Sequence, residues 1–178
     1  MILSEAIVVR VSHDLAGAIG AFSNTVDLMK MDPSFIGESV GLLEASAHQL
    51  TSRLAFFRAL FGVETKSIDT TLIKNYLKTL AIPVVFEGEL SSRMQLALVA
   101  VGLELVGAGG TLTLEDNSLT VSSDSLHKND VFIQALLGTH VPCDPKLVMA
   151  LWLLHVAAEE DLAVHLDINE KTITISLR

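Results

Sequence analysis

Along the first stretch of the chain, apolar or small residues fall at Val8, Val11, Leu15, Ala18, Phe22, Thr25 and Met29, in alternating steps of three and four. That spacing draws one stripe along an α-helix and is the seam of a coiled coil. After Asp32-Pro33, an N-cap and first-turn pair, the pattern restarts at Ile36, Val40, Leu43, Ala47, Leu50, Leu54, Phe57 and Phe61, then stops at Gly62, a helix C-terminal signal. Two helices of about 28 residues, each about 42 Å long and joined by a tight turn, predict an antiparallel hairpin. Ile7, Ile19, Val26, Leu42, Phe56 and Leu60 flank the seams and widen each stripe beyond what one partner helix covers. A four-helix bundle built from two copies of the chain covers both stripes, so the pattern predicts a homodimer.

From Ser67 the period changes. Helices are predicted at about 69–80, 91–106, 129–137 and 144–158. Strands are predicted at 83–87, in a hairpin of 111–115 and 119–123 turned at Asp116-Asn117, and in a second hairpin of 163–168 and 172–177 turned at Asn169-Glu170. The order α-β-α-β-β-α-α-β-β suits a two-layer α/β sandwich, a mixed sheet covered on one face by helices. The expected architecture is therefore α + α/β, with a helical hairpin over residues 1–66 and an α/β domain over 67–178.

Composition narrows the function classes. The chain has 178 residues, of which 50% are apolar and 19% charged, and its formal charge is -9. The charge is -2 over residues 1–66 and -7 over 67–178, the opposite of what a phosphate-backbone binder needs, so no nucleic acid partner is expected. A mean hydropathy of +0.50 excludes a disordered chain. The longest near-apolar runs, 96–103 and 147–158, are interrupted by Glu104 and His155 and fall short of the roughly 18 to 20 residues of a membrane span. Residues 1–10 lack a basic region and a cleavage site, and Cys143 is the single cysteine; a cytoplasmic location is expected.

Among the six histidines, position singles out His13. It lies off the seam on the outer flank of the first helix and is followed by Asp14. Its own face continues through Gly17, Gly20 and Asn24, although each glycine inside a helix costs roughly 1 kcal/mol relative to alanine. Two readings account for a face stripped of side chains: a neighbouring helix of the bundle packs there, or a partner protein reaches the imidazole as a nucleophile. Folding the hairpin at residues 32 and 33 brings residue 13 level with about residue 52. Arg53 either steadies charge near His13 or pairs with Asp27 or another acid; Arg10, on the turn before His13, has the same two readings. His48 reads as surface, and His155, in an apolar helix, as a core residue. His140, Cys143 and Asp144 make at best a fragment of a metal site, and no metal or resident cofactor is expected.

The run Ser12-His13-Asp14-Leu15-Ala16-Gly17 resembles the H-box of histidine kinase dimerisation domains. Extended through Ala18 to Asn24, and with Leu54 to Gly62, it is similar to the ChpT family of alphaproteobacterial histidine phosphotransferases. The resemblance implies a dimeric four-helix bundle followed by a degenerate histidine kinase ATPase-like (Bergerat) domain that does not use ATP. It implies that His13 accepts a phosphoryl group from the receiver domain of a hybrid histidine kinase and passes it to the receiver domain of a response regulator. Those receivers supply Mg²⁺. By the same resemblance Asp14 is expected to orient the imidazole or take its proton, and Arg10, Gly17, Gly20, Asn24 and Arg53 are the candidates for partner contact.

The chain departs from the kinases where Gly17 replaces Thr or Asn and Ala18 replaces Pro, so the first helix should run without a kink. It departs from the ChpT-like pattern at Ala18 and at Ala108-Gly109-Gly110. The second domain has no Asn between residues 96 and 103, no Asp-x-Gly-x-Gly and no phosphate-cradling glycine loop after Gly138. Its expected task is to form a docking wall beside the bundle. The rival readings are a degenerate histidine kinase that still binds nucleotide, and a dimeric scaffold in which His13 is incidental.

Overall fold

The computed structural model describes residues 2–62, 68, 70–80, 83–139 and 142–178. The boundary expected at residues 66 and 67 lies outside the described residues, as do Asp69 and His140.

Helix α1 (Leu3–Met31) runs unbroken past Ala18, as the lack of a proline there requires. Asp32 accepts the backbone N–H of Ser34 at 2.9 Å and opens a short 3-10 turn, Pro33–Phe35, that leads into α2 (Ile36–Phe61). Then come α3 (Thr70–Leu77), β1 (Val85–Glu87), α4 (Arg93–Leu105), β2 (Thr111–Glu115), β3 (Ser118–Ser122), α5 (Asp130–Leu136), α6 (Val148–Glu159), β4 (Val164–Ile168) and β5 (Thr172–Leu177). The helix starts carry their own signals. The Ser92 hydroxyl accepts from Gln95 N–H at 3.1 Å to begin α4, and the Asn129 side chain accepts from Val131 and Phe132 to begin α5.

The sheet order is β1-β2-β3-β5-β4, with β1 parallel to β2 and every other pair antiparallel. Strand alternation sends Leu112, Leu114, Leu119, Val121, Ile173 and Ile175 to the helical layer, while Thr113, Thr120 and Thr174 face outward. Helix α4 lies over β2 and β3, and α6 packs beside it. Close packing is visible at Gly102, where a Cβ would meet Leu119 Cδ2 at 2.5 Å. Helix α6 also touches α1 and α5, so neighbours on several sides account for its nearly continuous apolar sequence.

The hairpin and the α/β layer share one core. Phe56, Phe57 and Leu60 of α2 are buried with the α4 and α6 residues, and Leu3, Ile7, Val11 and Leu15 of α1 pack against the same cluster. The Phe56 ring stacks on Tyr76 with 3.9 Å between centroids, and Phe61 meets Trp152 edge-on at 5.2 Å. Arg93 closes this junction by standing over the Trp152 ring and bonding Glu159 at 3.1 Å.

Two expectations need correction. Inside the hairpin Ala18 and Thr25 of the expected seam are buried, but so are Ser39, Ser46 and Ser52, which lie off it, whereas Val8, Phe22, Val40 and Leu54 of the expected seams are exposed. Small residues let the two helices approach, and the larger apolar side chains form a second stripe that points away from the partner helix. His155 is 49% exposed rather than buried, with its ring against Trp152 and its Nε2 3.6 Å from Glu159. Helix α1 is long and apolar enough, by length and composition alone, to cross a membrane, although the sequence contains no uninterrupted apolar run of that length. In the structure its charged residues Arg10 and Asp14 are paired within the protein.

Candidate functional site

Because α1 continues straight through residues 12–24, His13 projects from the middle of a regular helix and keeps 87% of its side chain exposed. A Cβ added at Gly17 or Gly20 would meet nothing within 4 Å. No other part of the described chain fills that face, so the glycines do not serve packing between elements of one subunit. Asn24 continues the exposed face.

Among the described residues the imidazole has one side-chain partner. Its Nδ1 lies 3.3 Å from Oδ1 of Asp14, whose own side chain is only 19% exposed. The other oxygen, Oδ2, accepts from Nε of Arg10 at 2.8 Å, a contact between residues one helical turn apart. The same guanidinium donates from Nη2 to Oε1 of Glu104 on α4 at 2.6 Å. A chain of four side chains thus runs from the solvent-facing ring into the junction with the α/β layer.

Burial sets the electrostatics of the inner end. Burial opposes the charge on Arg10, but Glu104 and Asp14 outweigh it and hold the guanidinium pKa above its usual value. For Glu104 the balance reverses: burial raises its carboxyl pKa, and attraction to Arg10 only partly offsets it. The junction thus favours the charged arginine, whereas the charged Glu104 carboxylate is penalised first by burial and to a lesser degree by the neighbouring Asp14. Tyr76 is pushed up to about 12 by burial, with the charge of Asp14 adding to the effect.

The hairpin brings Arg53 level with His13, as the fold-back at the turn requires, but its guanidinium points inward. Nη1 donates to the main-chain carbonyl of Asp14 at 2.7 Å and Nη2 to that of Thr79 at 3.0 Å. Gln49 donates to the same Thr79 carbonyl at 3.1 Å. Asp27, the acid considered for Arg53, pairs with Lys30 instead. Arg10 is therefore paired with acids, one of its two readings, and Arg53 bonds main-chain carbonyls rather than an acid. Both carry long side chains from the flank of the hairpin into its junction with the second layer, where buried acceptors await a donor.

Sequence reasoning missed Glu104, Gln49, Tyr76 and Thr79. Glu104 did leave a signal, as the single carboxylate in a helix otherwise full of Leu, Val and Ala. Among the described residues no group of three or more His, Cys, Asp or Glu side chains is placed to hold a metal ion.

No protein-family model and no curated protein matches the chain. Solved structures similar to it include one described as "1.7 Angstrom Structure of a Bacterial Phosphotransferase", which is 21% identical with a TM-score of 0.79 over 99% of this chain and 95% of that one. At that identity the likeness establishes a common fold along nearly the whole chain, from the hairpin to the last strand.

Proposed function

We propose that the protein is a ChpT-like histidine phosphotransferase of a two-component phosphorelay, a cytoplasmic homodimer that carries a phosphoryl group on His13 between receiver domains. The observation that carries this reading is an exposed imidazole, tethered through Nδ1 to a carboxylate, on a helix face left open by Gly17 and Gly20. The common fold with a protein described as a bacterial phosphotransferase supports it.

The chemistry follows from the tether. With the ring proton on Nδ1 and directed to Asp14, the lone pair is on Nε2, which faces solvent. An aspartyl phosphate brought by a receiver domain is attacked in line at phosphorus. The Nε2–P bond forms, and the P–O bond breaks with its electron pair leaving on the receiver's carboxylate. The positive charge gained by the ring is balanced by Asp14, which holds the Nδ1 proton or accepts it. Mg²⁺ bound by the receiver supplies neutralisation of the phosphoryl oxygens. Such transfer rests on positioning and charge compensation, which one aligned imidazole satisfies. The reverse sequence delivers the group to the next receiver.

The exposed stripe with Val8, Ile19, Phe22, Val40 and Leu54 suits a second copy of the same hairpin, because both helices repeat with the period of a four-helix bundle. The test of the function mixes the full-length protein with a receiver domain bearing labelled aspartyl phosphate. Wild type should take up acid-labile, alkali-stable label and His13→Ala none. Unchanged labelling of His13→Ala, or none on wild type from any receiver, overturns the proposal.

A further inference from the structure

Glu104 belongs to α4, in the α/β layer, 94 residues away in sequence from the arginine it holds. We infer that Glu104 is a positioning residue for His13, acting through Arg10 and Asp14, so that the second domain sets the reactive form of the imidazole. The inference deepens the phosphotransfer reading and rests on it for its catalytic consequence, though not for its geometry.

The argument is one of directed donors. A guanidinium is a planar fork, and fixing one prong fixes the direction of the others. Glu104 takes Nη2 at 2.6 Å, which aims Nε at Oδ2 of Asp14 at 2.8 Å. With Oδ2 occupied, the carboxylate plane is set and Oδ1 is left for Nδ1 of His13 at 3.3 Å. Charge acts in the same direction. One arginine shared by two carboxylates leaves Asp14 a stronger acceptor than it would be as the sole partner of a full positive charge. Both effects favour the tautomer with hydrogen on Nδ1, which frees Nε2 to attack. Arg53 supports the arrangement from the other side by fixing the main-chain carbonyl of Asp14.

The test reads the ring directly. In the full-length protein labelled with ¹⁵N at histidine, the Nδ1 and Nε2 shifts of neutral His13, identified by their loss in His13→Ala, report the tautomer. Glu104→Gln, nearly isosteric and still able to accept from Arg10, should move the population toward the Nε2–H form. Arg10→Met, which cuts the chain at its middle, should do the same. Transfer from a phosphorylated receiver at saturating concentration should slow about tenfold in Glu104→Gln, with half-saturation unchanged, because the residue does not touch the partner. Unshifted ring signals in both variants, each shown by thermal melting to be folded, overturn the inference. So does a loss of receiver affinity at unchanged maximal rate. If wild-type protein takes no phosphoryl group at all, the functional reading fails, while the ring signals still decide the positioning claim.

Discussion

Arg53 donates its Nη1 to the main-chain carbonyl of Asp14 at 2.7 Å, and so ties the residue beside the exposed histidine to the opposite helix of the hairpin. Its Nη2 reaches Thr79 at the end of α3, and one side chain joins three elements. Its Nε is buried with no partner among the described residues, which marks the group as one drawn inward for its other two bonds.

Replacing it should therefore act through stability. Arg53→Ala leaves two carbonyls short of a charged donor and should cost roughly 2 kcal/mol. For a chain of this size that is a fall in melting temperature of roughly 4 to 8 °C. Arg53→Lys should recover less than half, because an ammonium does not span two acceptors as a fork does. Thermal denaturation of the three proteins checks this. A melting temperature unchanged in Arg53→Ala would return the residue to a partner-facing role.

Tyr76 gives a spectroscopic handle on the same junction. It is the single tyrosine, it is buried against Phe56, and its pKa is pushed up to about 12. Absorbance of the folded protein at tyrosinate wavelengths should rise near pH 12, and near pH 10 in denaturant. Below pH 10 both states keep the proton and stability is unaffected by this group. Between about 10 and 12 the unfolded phenol ionises while the folded one does not, so stability falls with pH, by roughly 3 kcal/mol over that window. Tyr76→Phe should remove this part of the alkaline slope.

Most of the fold is legible in the sequence because element periods differ. The change of period after the hairpin separates its helices from the α/β layer, and each helix and strand expected in that layer corresponds to one in the structure within a few residues, while the boundary expected at 66 and 67 lies outside the described residues. The partner faces of the hairpin are not legible. Ser39, Ser46 and Ser52 look like solvent positions by polarity, yet their small size lets α1 and α2 approach and they become buried. At the site, the run of His13, Gly17 and Gly20 stands out locally, since glycine in a helix has a cost that helix propensity does not explain; that the face is open within the subunit is read from the structure. The destinations of Arg10 and Arg53 do not, because their acceptors, Glu104 and Thr79, come from distant segments that only the tertiary fold brings near.

The outward apolar stripe predicts the oligomeric state. Phe22→Asp together with Val40→Asp puts two charges where a second hairpin must pack, and both positions are already exposed within the subunit. The double variant should sediment as a folded monomer, while wild type stays dimeric on dilution. Its circular dichroism should remain close to wild type, since neither side chain contributes to the core of the subunit. A wild-type protein that sediments as a stable monomer would remove the four-helix bundle.

The glycine face separates stability from transfer most cleanly. Gly17 and Gly20 sit inside α1 with nothing within 4 Å of where a Cβ would be, so a side chain there meets no steric penalty in the subunit. Gly17→Gln should therefore stabilise the fold, by about 0.5 to 1 kcal/mol, because glutamine is a far better helix former than glycine. The same side chain projects over the face beside His13, one turn along the helix, and stands where a receiver must bring its aspartyl phosphate in line with Nε2. Labelling from a phosphorylated receiver should fall at least tenfold in a protein that melts higher than wild type, while Gly17→Ala, with a single methyl, should melt higher and keep most of its transfer. A gain in stability with transfer undiminished in Gly17→Gln would mean that the open face is not where the partner docks.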